Sequence, residues 1–94
     1  MRVFDIQLTV TAAHDLDSIS DDLRRRLLQD IHILSTNPFP FGSNVKKLKG
    51  FRSPLYRLRA GDYRVLYRVV EETVIILRVI DRKDLERIIK RMKL

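Results

Sequence analysis

Apolar residues fall at every second position near the start of the chain, where Phe4, Ile6, Leu8 and Val10 alternate with mostly polar neighbours in RVFDIQLTV (residues 2–10). That is the period of a half-buried β-strand. The period then lengthens. TAAHDLDSI (11–19) predicts a short helix, with Thr11 as N-cap and Leu16 and Ile19 turned inward. Ser20 opens a second helix, with Asp21 and Asp22 in its first turn, where the positive end of the helix dipole favours carboxylates. Leu23, Leu27, Leu28, Ile31 and Leu34 recur at three- and four-residue spacing and make its buried stripe. Arg24, Arg25 and Arg26 are left as its solvated face.

NPFPFGSN (37–44) ends that helix with two prolines and a glycine, and its Phe39 and Phe41 are placed to plug the edge of the core. Period two returns in three runs, roughly 54–60, 62–70 and 73–80. Their linkers, Gly61-Asp62 and Glu71-Glu72, are short enough to force antiparallel hairpins. DLERIIKRMKL (84–94) closes the chain as a third helix, with Leu85, Ile88, Ile89 and Met92 on one face. That face either packs on the chain's own sheet or receives a partner helix. The order β-α-α-β-β-β-α defines an α+β domain spanning residues 1–94. Its small, mostly antiparallel sheet carries the two N-terminal helices on one face, and a C-terminal helix follows.

Hairpin register decides which side chains meet. With Gly61-Asp62 as a two-residue turn, glycine first, Ala60 pairs with Tyr63, Arg59 with Arg64, Leu58 with Val65, Arg57 with Leu66 and Tyr56 with Tyr67. One face then holds Tyr56, Leu58, Ala60, Tyr63, Val65, Tyr67 and Val69, a core face. The other holds Leu55, Arg57, Arg59, Arg64, Leu66 and Arg68. A one-residue slip would reverse both faces. Like charges directly opposed on a sheet cost roughly 0.2–1 kcal/mol. The arrangement makes sense where an anion sits among the arginines, because a guanidinium donates a planar fork to phosphate and keeps its charge. Arg78 stays open: a two-residue turn at Glu71-Glu72 puts it on the core face opposite Val65, and a longer loop need not.

Charge sharpens this picture. The chain of 94 residues has a formal net charge of +7. Residues 1–45 hold four Arg and six Asp, whereas residues 46–94 hold fifteen Lys or Arg and six Asp or Glu. A field concentrated in one half favours polyanions. There is no cysteine, which excludes disulfides and thiolate metal sites and suits a cytoplasmic protein. Asp5 interrupts the stretch where a secretory leader would need its apolar run, and no apolar run reaches membrane-spanning length. His14 and His32 lack a Cys, Asp or His at ligand spacing, so neither a metal nor another cofactor is expected.

KLKG (47–50), YRLRAGDYRVLYRV (56–69), VIILRV (74–79) and DRKD (81–84), in this order, resemble the RelE/ParE toxins of type II toxin–antitoxin modules. The resemblance implies their fold and, for RelE-like members, a ribosome-dependent mRNA endonuclease that inhibits translation. It also implies a cognate antitoxin that wraps the toxin, with operator DNA reached only through that complex and no membrane role. Family positions that contact RNA fall on Arg57, Arg59, Arg64 and Arg82. At the end of the chain this sequence departs from the family pattern: Asp81 stands where histidine is common, and Glu86 or its neighbour where a tyrosine is expected. Tyr56, Tyr63 and Tyr67 cannot substitute, since the register turns them to the core.

Cleavage by 2′-hydroxyl attack needs a proton acceptor, a proton donor and charge stabilisation at phosphorus. The four arginines can supply the last and are poor bases. Glu86, Asp81 and Lys83 are the candidate proton carriers, with Glu86 as general base; the alternative for Glu86 is an ion pair with Lys90 one turn on. Lys46, Lys47 and Lys49, in a loop-like stretch, together with Arg68 and Lys83, are candidates for holding the RNA backbone, and a solvated lysine run is the alternative. Two further functions fit the sequence. One is a ParE-like toxin that is not a nuclease and binds a protein such as DNA gyrase. The other is a catalytically weakened toxin kept for antitoxin binding and operon control.

Overall fold

The computed structural model describes residues 3–40 and 42–93; Arg2 and Phe41 lie outside them. In chain order the elements are β1 (Asp5–Leu8), α1 (Val10–Asp17), α2 (Asp21–Ile33), β2 (Val45–Leu48), β3 (Leu55–Ala60), β4 (Tyr63–Val70) and β5 (Thr73–Asp81). A 3-10 turn (Arg82–Asp84) then leads into α3 (Leu85–Met92). The five strands form one sheet in the order β1-β5-β4-β3-β2, parallel between β1 and β5 and antiparallel elsewhere.

The first strand is shorter than its alternation suggests, because Thr9 rather than Thr11 caps α1. The Thr9 hydroxyl accepts from the Ala12 amide at 3.1 Å and donates to the Leu77 carbonyl at 3.1 Å. This takes the chain out of the sheet and leaves Val10 77% exposed. Ser20 caps α2 as its position suggests, accepting from Leu23 N at 3.3 Å. Leu27, Ile31 and Leu34 are buried, but Leu28 is exposed, a hundred degrees off that stripe.

Arg24 is not part of a solvated face. Its guanidinium donates to the Leu16 and Ile19 carbonyls at 3.0 and 3.2 Å and to Asp21 at 3.1 Å, satisfying the end of α1 and tying it to α2. Arg25 and Arg26 are exposed.

The strand β2 is an addition to the sequence reading. VKKL is too short and too charged to register as a strand, yet lysine is a usual residue of an exposed edge. Lys46 and Lys47 therefore belong to a strand, and Lys49 follows its end.

Each face of the sheet has its own core. Ala12, Leu16, Leu27, Ile31 and Leu34 from α1 and α2 pack with Tyr56, Leu58, Val65, Tyr67, Val74, Ile76 and Val79. On the opposite face Ile88, Leu85 and Met92 of α3 pack with Leu55, Leu66 and Ile80. The α3 stripe thus covers its own sheet, and Ile89 stands outside that cluster. Phe39 does plug a core edge: its ring meets Phe4 and Tyr56 edge-on, with centroids 5.9 and 6.1 Å away. The buried Tyr67 hydroxyl donates to the Pro38 carbonyl at 2.7 Å, fixing the breaker segment to the sheet. Among the described residues no helix is long and apolar enough to cross a membrane.

Candidate nucleic-acid interface on the arginine face

The turn between β3 and β4 sets the geometry of this face. Gly61 has φ +60° while Asp62 keeps a negative φ, so the left-handed position comes first in the turn, where glycine adopts it without strain. The register follows: Tyr56 opposite Tyr67, Arg57 opposite Leu66, Leu58 opposite Val65, Arg59 opposite Arg64 and Ala60 opposite Tyr63. Arg57, Arg59 and Arg64 share the face that α3 partly covers. Lys46 joins them across from Arg57, whereas Lys47 pairs with Tyr56 and points to the other side.

Arg57 is the least accommodated of these charges. It is 9% exposed, and among the described residues no carboxylate or carbonyl takes a hydrogen bond from it. Its pKa is lowered from the usual guanidinium value, first by burial, then by Arg64 and Arg59. Arg64 is lowered likewise by burial, then by Arg59 and Arg82, against the opposing pull of Asp62 and Asp81. Arg64 Nη1 donates to the Gly61 and Tyr63 carbonyls at 2.9 and 2.8 Å, which fixes the fork and leaves its remaining N–H groups available. The Arg82 amide donates to the Asp62 carbonyl at 2.9 Å and its Nε lies 3.9 Å from Asp62 Oδ1, so the chain after β5 folds back to the turn. Four guanidinium groups therefore gather at one end of the sheet with few counter-charges. By charge and by donor geometry that arrangement suits an anion.

The remaining candidates are more scattered. Arg68 lies on the same face four residues from Arg64, roughly 13 Å along the strand, and donates to the Ser53 carbonyl at 3.0 Å. Lys83 is exposed in the 3-10 turn that Asp81 caps by accepting from the Lys83 amide at 3.0 Å. Glu86 is exposed in the first turn of α3, has no ion pair with Lys90 and is not among the charges acting on Arg64. The carboxylates that do act on the cluster are Asp62 and Asp81. Sequence reasoning gave Asp62 only a turn role, although its place beside a glycine turn between two arginine-bearing strands was a signal.

Arg78 has a structural partner. Its Nε and Nη2 donate to the two carboxylate oxygens of Asp15 at 2.8 and 3.1 Å, and Asp15 Oδ2 also accepts from the Val79 amide at 2.9 Å. This hydrogen bond raises the Arg78 pKa above its usual value. A two-residue turn does join β4 to β5, but a bulge between Leu66 and Tyr67 puts Val79 opposite Val65 and Arg78 opposite Leu66. Among the described residues no group of three or more His, Cys, Asp or Glu side chains is placed to hold a metal ion.

Comparisons with known proteins agree with this fold. The profile of the family described as ParE toxin of type II toxin-antitoxin system, parDE, matches residues 6–86. A RelE1 toxin of Methanocaldococcus jannaschii is 31% identical over 83 residues, 86% of this chain and 91% of that one. The archaeal RelE-RelB complex of Pyrococcus horikoshii contains a chain with TM-score 0.72 and 32% identity, covering 85% of this chain and 96% of that one. The RelBE2 toxin-antitoxin complex of Mycobacterium tuberculosis gives TM-score 0.73 and 29% identity, covering 85% and 99%. The chain belongs to the RelE/ParE family, the toxins of type II toxin–antitoxin systems.

Proposed function

We propose that this toxin is a RelE-like, ribosome-dependent mRNA endonuclease of the cytoplasm, held inactive by a cognate antitoxin. The observation that carries the reading is Arg57, a side chain largely buried whose guanidinium nitrogens still reach the surface, without an acceptor among the described residues and flanked by Arg59 and Arg64. Such a group is costly unless an anion completes it. In the reaction the 2′-oxygen attacks the adjacent phosphorus and gives up its proton, the phosphorus–5′-oxygen bond breaks, and the leaving oxygen takes a proton. Arg57, Arg59, Arg64 and Arg82 stabilise the charge that grows on the phosphoryl oxygens. Asp81, one of the two carboxylates that act on Arg64, serves as proton acceptor, with Lys83 and Glu86 as further proton carriers. Lys46, Lys49 and Arg68 extend the surface along the RNA backbone, and Lys47 extends it around the sheet edge. The antitoxin partner rests on the neighbours whose structures are toxin–antitoxin complexes.

A second reading has its own support. The profile that matches is that of ParE toxins, and Glu86 stands near the place of the family tyrosine. A ParE-like toxin would act on a protein such as DNA gyrase and would leave mRNA whole. Primer extension on a translated reporter after brief induction without antitoxin separates the two. Cuts confined to translated codons and lost in Arg64→Ala support the nuclease. Growth arrest with intact mRNA refutes it and moves the target to a protein.

A further inference from the structure

A cavity of about 260 Å³ lies on the far side of the Gly61 turn, between α2 and the start of the hairpin. Leu23, Leu27 and Ala60 give it apolar walls, Tyr63 lines it, and Arg26, Asp30 and Asp62 stand at its polar side. The charges on α2 are unequal in their engagement. Arg24 and Arg25 form ion pairs with Asp21 and Asp22, whereas among the described residues Arg26 and Asp30 have no ion pair with any group. A donor and an acceptor one helical turn apart, both unpaired and both lining one cavity that is only partly apolar, suit a flat ligand that carries acceptors and donors side by side on its edge. The cavity also adjoins the arginine face. Gly61 lines it, and the Gly61 carbonyl is the acceptor that holds Arg64 Nη1 at 2.9 Å.

We propose that this cavity is a nucleobase subsite, taking one unstacked base of an RNA strand whose phosphate lies on Arg64 and Arg82. The proposal rests on the reading of the arginine face as an RNA-backbone surface, and it adds what that face lacks. Guanidinium groups hold phosphate without regard to sequence, while Arg26 and Asp30 read a base edge against the Tyr63 ring. The size fits one ring system rather than a peptide helix, which favours a base over a protein segment as occupant.

The test is an amide chemical-shift titration of the whole chain with each of the four nucleoside 5′-monophosphates, and with inorganic phosphate alone. At least one nucleotide should bind about tenfold more tightly than phosphate, the scale of one base stacked on an aromatic ring. It should shift the amides of Leu23, Arg26, Leu27 and Tyr63 together with those of Arg59 and Arg64. Asp30→Asn should reduce that preference and change which base is favoured, while phosphate affinity stays the same. Nucleotides that bind no better than phosphate and shift only the arginine face would overturn the subsite and leave the backbone surface standing. Absence of any response to phosphate or nucleotide would refute both. Shifts at the cavity on antitoxin binding, with none on any nucleotide, would assign it to the protein partner and overturn the proposal.

Discussion

Arg59→Gln separates what the arginine face costs the fold from what it contributes to the proposed RNA chemistry. Arg59 is the register partner of Arg64, and it helps to lower the pKa of both Arg64 and Arg57. Neutralising it relieves two neighbours without opening a cavity, since the Arg59 side chain is exposed. Opposed like charges on a sheet cost roughly 0.2–1 kcal/mol, so a gain of about 0.5–1 kcal/mol is expected. A chain of 94 residues has a folding stability of about 5–14 kcal/mol, and the gain corresponds to a rise in Tm of about 2–8 °C. Thermal unfolding at low salt should show the rise. The gap between variant and wild type should narrow at 1 M salt, where the screening length falls from about 10 Å to about 3 Å. In the same variant, RNA cleavage should drop by about a hundredfold, the effect of losing one donor to transition-state charge. A variant less stable than wild type at low salt, or a gap indifferent to salt, would refute the argument that these charges oppose folding.

Four other substitutions probe the frame around the site. Asp15→Ala strips the carboxylate from Arg78 and from the Val79 amide, and should cost about 2–3 kcal/mol in urea unfolding. Adding Arg78→Ala should recover part of that loss, and strictly additive costs would show that the pair is not coupled. Tyr67→Phe leaves the Pro38 carbonyl unpaired in the core and should cost about 1–2 kcal/mol. Burial, then Tyr56, raises the Tyr67 pKa above its usual 10, so the folded state keeps a proton that the unfolded chain releases. Stability should therefore fall as pH rises beyond 10 in wild type, and less steeply in Tyr67→Phe. Glu71 holds a positive φ of 55° at the β4–β5 turn, a conformation that glycine takes more readily. Glu71→Gly should raise stability by up to about 1 kcal/mol, and a lower Tm would show that the turn depends on the glutamate side chain.

The features legible in the sequence were those set by local rules. Gly61-Asp62 fixed the hairpin register, because glycine takes the left-handed first position at no cost, and register alone decided that Arg57, Arg59 and Arg64 would share a face. Ser20 marked the start of α2 by side-chain chemistry that acts over three residues. The misses came from longer range. Thr9 outcompetes Thr11 as a cap partly because its hydroxyl also reaches Leu77, a contact that no window around residue 9 contains. The Asp15–Arg78 pair joins residues 63 positions apart, and the bulge that places Arg78 leaves no mark in an unbroken run of strand formers. Arg24 looked like part of a charged helix face until α1 brought its open carbonyls alongside. Asp62 comes beside Arg82 through the backbone bond between the two, which joins residues 20 positions apart.

The second face of the sheet is divided, and that division links stability to chemistry. Leu55, Leu66 and Ile80 cross β3, β4 and β5 diagonally, and α3 lies along that diagonal with Ile88, Leu85 and Met92. The neighbouring Arg57 is buried as well, and α3 brings no carboxylate to pair with it. An acid in that position would have stabilised the isolated fold and neutralised the cluster. Instead the two helices on the opposite face and the aromatic chain through Phe4, Phe39, Tyr56 and Tyr67 supply a core that does not depend on the arginines. The fold can then tolerate clustered cations at one end of the sheet, an arrangement whose chemistry suits a phosphate.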